Sequence, residues 1–161
     1  KKIKKIINLK PEHTILDLGS GPGLFTKPLS TKANKTIAID MERKMLKKFK
    51  TKKDNKIKII QAKAKKLPIK PNTIDIMYGI TVLHEIKPEK PLKELKRTIK
   101  PNGTLLMIDF KKDPKIKTGP PLKHRLSKKQ AKKYIAKKFK IQKTGEISPK
   151  TYYIKAKKPN N

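Results

Sequence analysis

A glycine-rich turn after a short apolar segment is the first feature of this sequence that could support chemistry. The stretch TILDLGSGPG, residues 14–23, places glycines at positions Gly19, Gly21 and Gly23. Such a turn after a strand lets a nucleotide approach the backbone closely. A dinucleotide fingerprint requires glycine where this sequence has Leu24, and a P-loop requires Gly-Lys-Ser/Thr, which is absent. The turn therefore predicts a nucleotide-type ligand but carries no pyrophosphate signature.

Two carboxylates accompany this turn. Asp17 precedes it, where a carboxylate would repel phosphate and attract a cationic group, and Asp40 ends the next predicted strand. A carboxylate at that strand end can accept hydrogen bonds from both ribose hydroxyls of an adenosine. A phosphate-free, cationic adenosine is S-adenosylmethionine. We therefore predict S-adenosylmethionine as the cofactor.

A second group of polar residues follows the later strands. His84 and Glu85 follow the fourth predicted strand, and Asp109 ends the fifth. We predict His84 as a substrate-orienting group or base, with Glu85 and Asp109 as further catalytic candidates on the same rim. His124 and Arg125 lie in a long polar connection and would suit an anionic or enolate acceptor. Methyl transfer from a sulfonium is a displacement, so a base is needed only if the acceptor must lose a proton.

The alternation of short β-branched segments with longer lysine-rich amphipathic segments predicts the elements that position these residues. The predicted strands are 14–18, 36–40, 56–60, 74–79, 104–110, 139–144 and 151–156. The predicted helices are an opening one closed by Pro11, then 23–31, 41–50, 88–99 and 127–138. This order predicts an α/β fold: a doubly wound, mostly parallel, seven-stranded Rossmann-like sheet with an antiparallel C-terminal edge hairpin. We expect one domain, residues 1–161.

The chain is strongly basic, with 45 Lys and Arg against 12 Asp and Glu, and a net charge of +33. The basic residues are spread evenly along the sequence, and only Arg43, Arg97 and Arg125 are arginines. Base readout and stacking favour arginine and exposed aromatic residues. We interpret the charge as a chain-wide bias with non-specific affinity for polyanions such as nucleic acid. The alternative of a basic patch that forms only in the folded protein stays open.

Composition and hydropathy exclude several classes of site. The sequence has no cysteine, which excludes disulfides, thiolate metal sites and cysteine nucleophiles. The histidines and carboxylates do not follow a known ligand spacing, so we predict no metal site. No apolar run approaches the roughly 20 residues of a transmembrane helix, and no signal-peptide pattern opens the sequence, so we expect a cytoplasmic location. Because the sequence begins with Lys1 rather than Met, we allow for a segment upstream.

Five stretches appear in an order that resembles a known family. They are ILDLGSGPG (15–23), TIAID (36–40), AKKLPIK (64–70), DIMYGITVLHEI (75–86) and IKPNGTLLMIDF (99–110). Together they resemble the class I S-adenosylmethionine-dependent methyltransferases, particularly the small type-11 group related to quinone-biosynthesis C-methyltransferases. The cofactor-binding residues that the resemblance implies are Asp17, Gly19, Ser20, Gly21, Gly23, Asp40, Met41, Ala64 and Leu67.

The resemblance also implies a role for these residues. The glycine turn would receive the methionine moiety, with Asp17 binding its end directly or through water, and Asp40 would hold the ribose. Met41 would pack on the adenine, the loop around Ala64 would close over it, and Leu67 would line it. The family usually has an acid just before that alanine, whereas this sequence has Lys63.

The acceptor is less defined than the cofactor. The Asn/Asp-Pro-Pro-aromatic signature of many amino-group methyltransferases is missing, since residues 78–83 read YGITVL. We therefore predict methyl transfer to a small-molecule acceptor at carbon or oxygen. Two alternatives stay open: a methyltransferase for RNA or basic proteins, and a basic, catalytically weak binding module that retains the fold. Lys63 motivates the last of these.

Overall fold

A computed structural model describes residues 2–49, 55–86 and 89–160 of the chain. Its strands are β1 (Thr14–Leu18), β2 (Lys35–Asp40), β3 (Ile57–Gln61), β4 (Ile74–Ile80), β5 (Ile99–Phe110), β6 (Lys140–Ser148) and β7 (Thr151–Lys157). Its helices are α1 (Lys2–Ile7), α2 (Thr26–Ser30), α3 (Arg43–Lys47), α4 (Glu89–Thr98) and α5 (Lys128–Ala136), with a short 3₁₀ helix at Leu122–His124.

The seven strands form one sheet in the order β3-β2-β1-β4-β5-β7-β6. The five strands from β3 to β5 are parallel, and β7 is antiparallel to both β5 and β6. The predicted α/β fold with an antiparallel C-terminal edge hairpin is confirmed. The chain leaves β1 toward β2 on one side and later returns through β4 on the other side. This reversal of strand order is where open α/β sheets bind ligands, beyond the carboxyl ends of the strands.

Helices cover both faces of the sheet, which explains why its central strands are apolar in almost every position. One face packs against Leu92 and Leu95 of α4 and Ile135 of α5. The other face packs against Ile7 of α1 and Leu29 of α2. Residues that alternate along a strand point to opposite faces, so the sheet separates two apolar clusters. Within the described residues, no helix is long and apolar enough to cross a membrane.

Several predicted boundaries differ from the observed ones. The sequence KPNG predicted a turn before a strand starting at residue 104, whereas β5 already begins at Ile99, with a register shift in its pairing with β4. Helix α2 is shorter than the predicted 23–31, because the glycine turn extends further along the chain. Helix α3 is likewise shorter than 41–50. The predicted boundaries Lys50 and Pro88 lie outside the described residues.

The start of α5 matches its prediction because the side chains at its first turn satisfy the free main-chain groups. The Ser127 hydroxyl accepts the Gln130 N–H, and the Gln130 side chain accepts the Ser127 N–H. This reciprocal capping box fixes the point where the long connection ends and the helix begins.

Candidate active site

A cavity of about 720 Å³ opens at the carboxyl ends of the parallel strands. The glycine turn after β1, the end of β2 and the turn after β4 form its walls, so it lies where the strand order reverses. Its lining residues are Leu18, Gly19, Gly21, Pro22, Ile39, Asp40, Met41, Glu42, Met45, Ala62, Lys63, Ala64, Lys65, Thr81, Val82, Glu85, Ile86 and Pro91. Cavities of this size hold small-molecule ligands and cofactors.

The glycine turn is anchored to the end of β2. The main-chain N–H groups of Gly19 and Ser20 both donate to the carbonyl of Ile39, at 2.8 and 2.9 Å. Gly19 has a φ of +70°, and a Cβ there would lie 2.8 Å from a methyl carbon of Val82. Gly21 has a φ of +53°, and a Cβ there would meet nothing within 4 Å. The first glycine is thus required by packing as well as by backbone conformation, whereas the second leaves open space on the cavity wall.

Asp40 presents a fixed carboxylate at the cavity. One of its oxygens accepts the Gly21 N–H and the other accepts the Glu42 N–H, both at 2.8 Å. Each carboxylate oxygen has a further lone pair, so the group can also accept ligand hydroxyls. Apolar side chains, including Ile39, Met41 and Met45, line the cavity beside it. A carboxylate next to an apolar wall fits the ribose and adenine of a nucleoside, which is where the sequence predicted Asp40 and Met41.

The loop on the adenine side lies only partly on the cavity. Ala64 lines it together with Lys63, the residue that replaces the usual acid. Leu67, predicted to line the adenine, instead lies in the core, where its main-chain N–H donates to the Glu94 carboxylate at 2.7 Å. Arg97 also binds that carboxylate and the Leu67 carbonyl, so the loop turns inward at this point. This corrects the predicted position of Leu67.

Asp17 lies behind the glycine turn rather than on the cavity lining. It is almost fully buried, and its carboxylate accepts the Thr26 hydroxyl at 2.6 Å. Burial raises the pKa of Asp17 from 3.8 to about 7, with a smaller contribution from the charge of Asp40, while the bond from Thr26 opposes the rise. The Tyr78 hydroxyl is close enough to affect this pKa, but within the part of the chain that the structure describes it has no hydrogen bond of regular geometry. Direct contact of Asp17 with a ligand would require the turn to move.

The other two turn residues in the prediction, Ser20 and Gly23, also lie off the lining. The Ser20 hydroxyl is buried and has no hydrogen-bond partner among the described residues. At Gly23, a Cβ would lie 2.4 Å from the ring of Phe49, so this glycine allows close packing of the turn against that ring. The predicted roles of Ser20 and Gly23 in cofactor binding therefore stay predictions.

His84 and Asp109 form a close pair beside the cavity. Nδ1 of His84 lies 3.0 and 3.2 Å from the two carboxylate oxygens of Asp109, which also accept the main-chain N–H groups of His84 and Phe110. Asp109 is 1% exposed, so its charge is shielded from water. On the other side of the imidazole, Nε2 lies 3.7 Å from a carboxylate oxygen of Glu85, a residue that lines the cavity. The structure thus brings the three predicted catalytic candidates together.

The two predicted substrate residues have different surroundings. His124 is exposed in the 3₁₀ helix. The guanidinium of Arg125 is buried and donates to five main-chain carbonyls, those of Lys111, Asp113, Ile116, Thr118 and Pro120. Arg125 therefore organises the connection from β5 to α5, and its donors face that loop rather than an acceptor. This corrects the predicted substrate contact of Arg125.

Sequence reasoning missed the turn between β4 and His84. Thr81 lines the cavity with a φ of +57°, a costly conformation for a β-branched residue, and its N–H donates to the carbonyl of Ile108 at 2.8 Å. Strain of this kind is common at functional sites. The only signal in the sequence was its place after an apolar strand.

Within the described part of the chain, no cluster of three or more His, Cys, Asp or Glu side chains could hold a metal ion.

The strand order and a nucleoside-sized cavity at the carboxyl edge define the class I methyltransferase fold. Residues 16–107 match the family model described as "Methyltransferase domain". The chain belongs to this family, in the type-11 group of S-adenosylmethionine-dependent methyltransferases. The match covers the strands and turns that build the cavity.

Individual relatives agree with this assignment. An uncharacterized protein of Methanocaldococcus jannaschii is 36% identical over 115 residues, which is 71% of this chain and 48% of the relative. The ubiquinone/menaquinone biosynthesis C-methyltransferase UbiE of Wigglesworthia glossinidia brevipalpis is 38% identical over 113 residues, which is 63% of this chain and 44% of the relative. The chain thus spans less than half the length of these two relatives.

Solved structures extend the similarity to nearly the whole chain. A SAM-dependent methyltransferase from Aquifex aeolicus has a TM-score of 0.88 at 27% identity, covering 97% of this chain and 87% of that one. A putative type 11 methyltransferase from Sulfolobus solfataricus has a TM-score of 0.84 at 25% identity, covering 99% and 90%. The C-terminal hairpin, which lies beyond the family match, is thus included in the structural similarity.

Proposed function

We propose that this protein transfers a methyl group from S-adenosylmethionine to a small-molecule acceptor, at carbon or oxygen. The observation that carries this proposal is the His84–Asp109 pair beside the cavity of about 720 Å³. When bound, S-adenosylmethionine supplies an electrophilic methyl group on a sulfonium. The residues of the chain bind and orient the reactants and move any proton that must leave the acceptor.

The cavity residues fit the cofactor. The Asp40 carboxylate is held by two main-chain N–H groups and keeps free lone pairs for ribose hydroxyls. Met41 and Met45 offer an apolar wall for adenine, and Gly21 leaves room on the wall that the methionine moiety would approach. Hydrogen bonds to a charged group of this kind contribute about 1.5 to 3 kcal/mol each.

His84 is the residue best suited to act on the acceptor. When Asp109 accepts the Nδ1 proton, Nε2 holds the lone pair of the neutral imidazole. A base so oriented can take a proton from a hydroxyl or from an acidic carbon. General base catalysis of this kind accelerates a reaction by about 10²- to 10⁴-fold. The Wigglesworthia relative is a C-methyltransferase, which supports carbon as one acceptor atom.

Two other functions remain alternatives to be tested. The first is a methyltransferase for RNA or basic proteins, and the net charge of +33 would help such an enzyme dock on RNA. Lys63, which lines the cavity where the family usually has an acid, would fit a basic binding module that retains the fold with weak catalysis.

The test combines cofactor binding with methyl incorporation. Calorimetry with S-adenosylmethionine should give saturable binding, and Asp40→Asn should weaken it by at least about 10-fold, the loss of one charged hydrogen bond. Glu12→Gln, at an exposed carboxylate away from the cavity, is the matched control and should bind as the wild type does. A tritiated-methyl assay should then label the metabolite fraction of an extract. Label only in RNA or protein would favour the first alternative, and no binding at millimolar cofactor would exclude the enzyme.

A further inference from the structure

A second region, at the amino-terminal edge of the sheet, gathers lysines around two adjoining cavities. One cavity, of about 380 Å³, lies between α1 and the C-terminal hairpin and is lined by Lys5, Lys143, Lys155 and Lys157 among others. The second, of about 300 Å³, also has Lys155 and Lys157 on its lining and continues past Lys10, His13 and Lys100. We call these two cavities, which share Lys155 and Lys157 on their linings, the lysine groove, and we call Lys5, Lys143, Lys155 and Lys157 the groove lysines.

The pairing of β6 with β7 brings these charges together. Lys143 lies directly opposite Lys155, and Lys140 lies directly opposite Lys157. Like charges directly opposite each other destabilise a sheet. Burial lowers the pKa of Lys155, and the neighbouring charges of Lys157 and Lys143 lower it further. The hairpin therefore tolerates an arrangement of lysines that opposes its own stability.

The carboxylates of the chain do not neutralise this arrangement. Among the described residues, none of the groove lysines forms an ion pair. Asp75 is the carboxylate on the lining of the second cavity, and it already binds the ammonium of Lys100 at 2.6 Å and the N–H of Thr14 at 2.8 Å. An external anion would relieve the repulsion that the fold leaves in place.

We propose that the lysine groove binds the phosphate backbone of a single-stranded nucleic acid. Positive charges spread over two joined cavities match a linear chain of phosphates better than a single anion. The recessed position of Lys155 and Lys157, both partly buried, keeps them from a flat anionic membrane. Among the described residues that line the groove there is no arginine, and the one aromatic residue, Tyr153, is 7% exposed, so we expect binding without base recognition.

The groove is separate from the candidate active site. Lys157 pairs with Thr104 and Lys155 with Leu106, in the middle of β5, whereas Asp109 lies near its carboxyl end. These separations of three to five residues along the strand span about 10 to 17 Å at roughly 3.3 Å per residue. None of the described residues lines both the groove and the cavity of the candidate active site. A nucleic acid held in the groove would leave the cavity free, so the groove would tether the protein rather than present a methyl acceptor.

The test compares two triple variants that have the same net charge. The groove variant carries Lys143→Gln, Lys155→Gln and Lys157→Gln. The control variant carries Lys129→Gln, Lys132→Gln and Lys133→Gln on α5, which packs on the other face of the sheet, where these lysines are exposed. Fluorescence anisotropy with a fluorescein-labelled oligouridine is measured from about 50 to 300 mM NaCl, the range in which counterion release dominates.

We expect the groove variant to bind oligouridine at least about 10-fold more weakly than the control variant. Its salt slope, the slope of the logarithm of the binding constant against the logarithm of the NaCl concentration, should be smaller by about 2, since each single-strand phosphate contact contributes about 0.7. Equal losses in both variants, or no loss, would overturn the proposal and leave only the chain-wide charge. So would a groove variant that loses binding to phosphatidylglycerol vesicles but keeps binding to oligouridine.

Folding of the variants is checked by thermal unfolding. Because the substitutions remove repulsion across the β6–β7 pair, the groove variant should melt at or above the temperature of the wild type. The single variant Lys143→Gln, at an exposed position, should show about one third of the change in salt slope. A single variant with an unchanged slope would also count against the proposal.

Discussion

The carboxylate of Asp109 holds His84 at two points, through Nδ1 of the imidazole at 3.0 Å and through the main-chain N–H at 3.1 Å. Asp109 belongs to β5, and His84 belongs to the turn that follows β4, so the pair connects the carboxyl ends of two neighbouring parallel strands. The main-chain bond fixes the turn and the side-chain bond orients the ring, with Nε2 3.7 Å from a carboxylate oxygen of Glu85, a residue that lines the cavity. This geometry supports a positioned base.

The first prediction concerns this pair. Asp109→Asn should lower the rate of methyl transfer by roughly 100-fold, because the imidazole loses the charge that orients and stabilises its protonated form. His84→Gln should cause a similar loss, and the double variant should be no slower than His84→Gln alone, since the two residues act as a unit. The measurement is kcat over a range of pH, together with the Kd for S-adenosylmethionine.

The matched control is Asp113→Asn, in the connection from β5 to α5, whose carboxylate accepts the main-chain N–H of Lys115 at 2.8 Å. It should keep both the rate and the cofactor affinity. If Asp109→Asn kept the wild-type rate and pH profile, the acceptor would need no base from this pair. A loss of cofactor binding equal to the loss of rate would instead indicate a structural role.

Much of this architecture could be predicted because local sequence determines it. The bounds of β1 are as predicted, since an apolar run ends at glycines that cannot continue a strand, and the cap at Ser127 follows from its spacing to Gln130. The alternation of strands and helices implied a parallel sheet, and the acids at strand ends implied a shared edge. These signals do not depend on distant contacts.

The remaining features depend on contacts between distant residues. The polar loop sequence around Arg125 predicted a cation available to an anionic acceptor, but five carbonyls from the same loop surround its guanidinium. Leu67 turns inward because Glu94 and Arg97, roughly thirty residues away, bind its main chain. Lys143 and Lys155 meet only through the strand pairing. The basic residues are spread evenly along the sequence, but the strand pairing brings some of these lysines together.

The second prediction concerns Lys63, which lines the cavity where the family usually has an acid. Lys63→Asp should tighten S-adenosylmethionine binding by about 5- to 10-fold, because a carboxylate can accept a hydrogen bond from the adenine amino group, a contribution of about 1 kcal/mol. Calorimetry gives the change in Kd.

Lys65→Asp is the control for Lys63→Asp, since Lys65 is exposed on the same cavity wall and the substitution changes the charge equally. It should alter the Kd by less than about 2-fold. Equal tightening by both variants would mean that general attraction between the cavity and the cationic cofactor explains the effect, with no specific adenine contact.

The third prediction concerns the buried carboxyl of Asp17, whose pKa rises from 3.8 to about 7 because of burial. Below about pH 4, both the folded and the unfolded states keep the proton, so the group has no effect on stability. Between pH 4 and 7 the unfolded state releases the proton and the folded state keeps it, so the free energy of unfolding falls. Above pH 7 the carboxyl is ionised in both states, and the full decrease in the free energy of unfolding remains.

Asp17→Asn removes this titration, and its amide oxygen can still accept the Thr26 hydroxyl. The free energy of unfolding of the variant minus that of the wild type should therefore rise between pH 4 and 7 and then level off. The rise should exceed about 2 kcal/mol, since each unit of pKa shift corresponds to about 1.4 kcal/mol. Urea unfolding at each pH provides the measurement, with Glu12→Gln as an exposed control. A flat or falling difference would contradict a raised pKa.

The fourth prediction concerns Arg125, whose guanidinium also lies 5.5 Å from the ring centroid of Phe110. Arg125→Lys keeps the charge but loses the planar array of donors, so several of the five loop carbonyls lose their partner. We expect a loss of about 3 kcal/mol in the free energy of unfolding, and main-chain amides of residues 111–119 that exchange with deuterium at least about 10-fold faster. His124→Ala, at the exposed neighbouring position, should leave both quantities unchanged. If Arg125→Lys left exchange in the loop unchanged but raised the KM for the acceptor, the guanidinium would act on the substrate, as the sequence alone predicted.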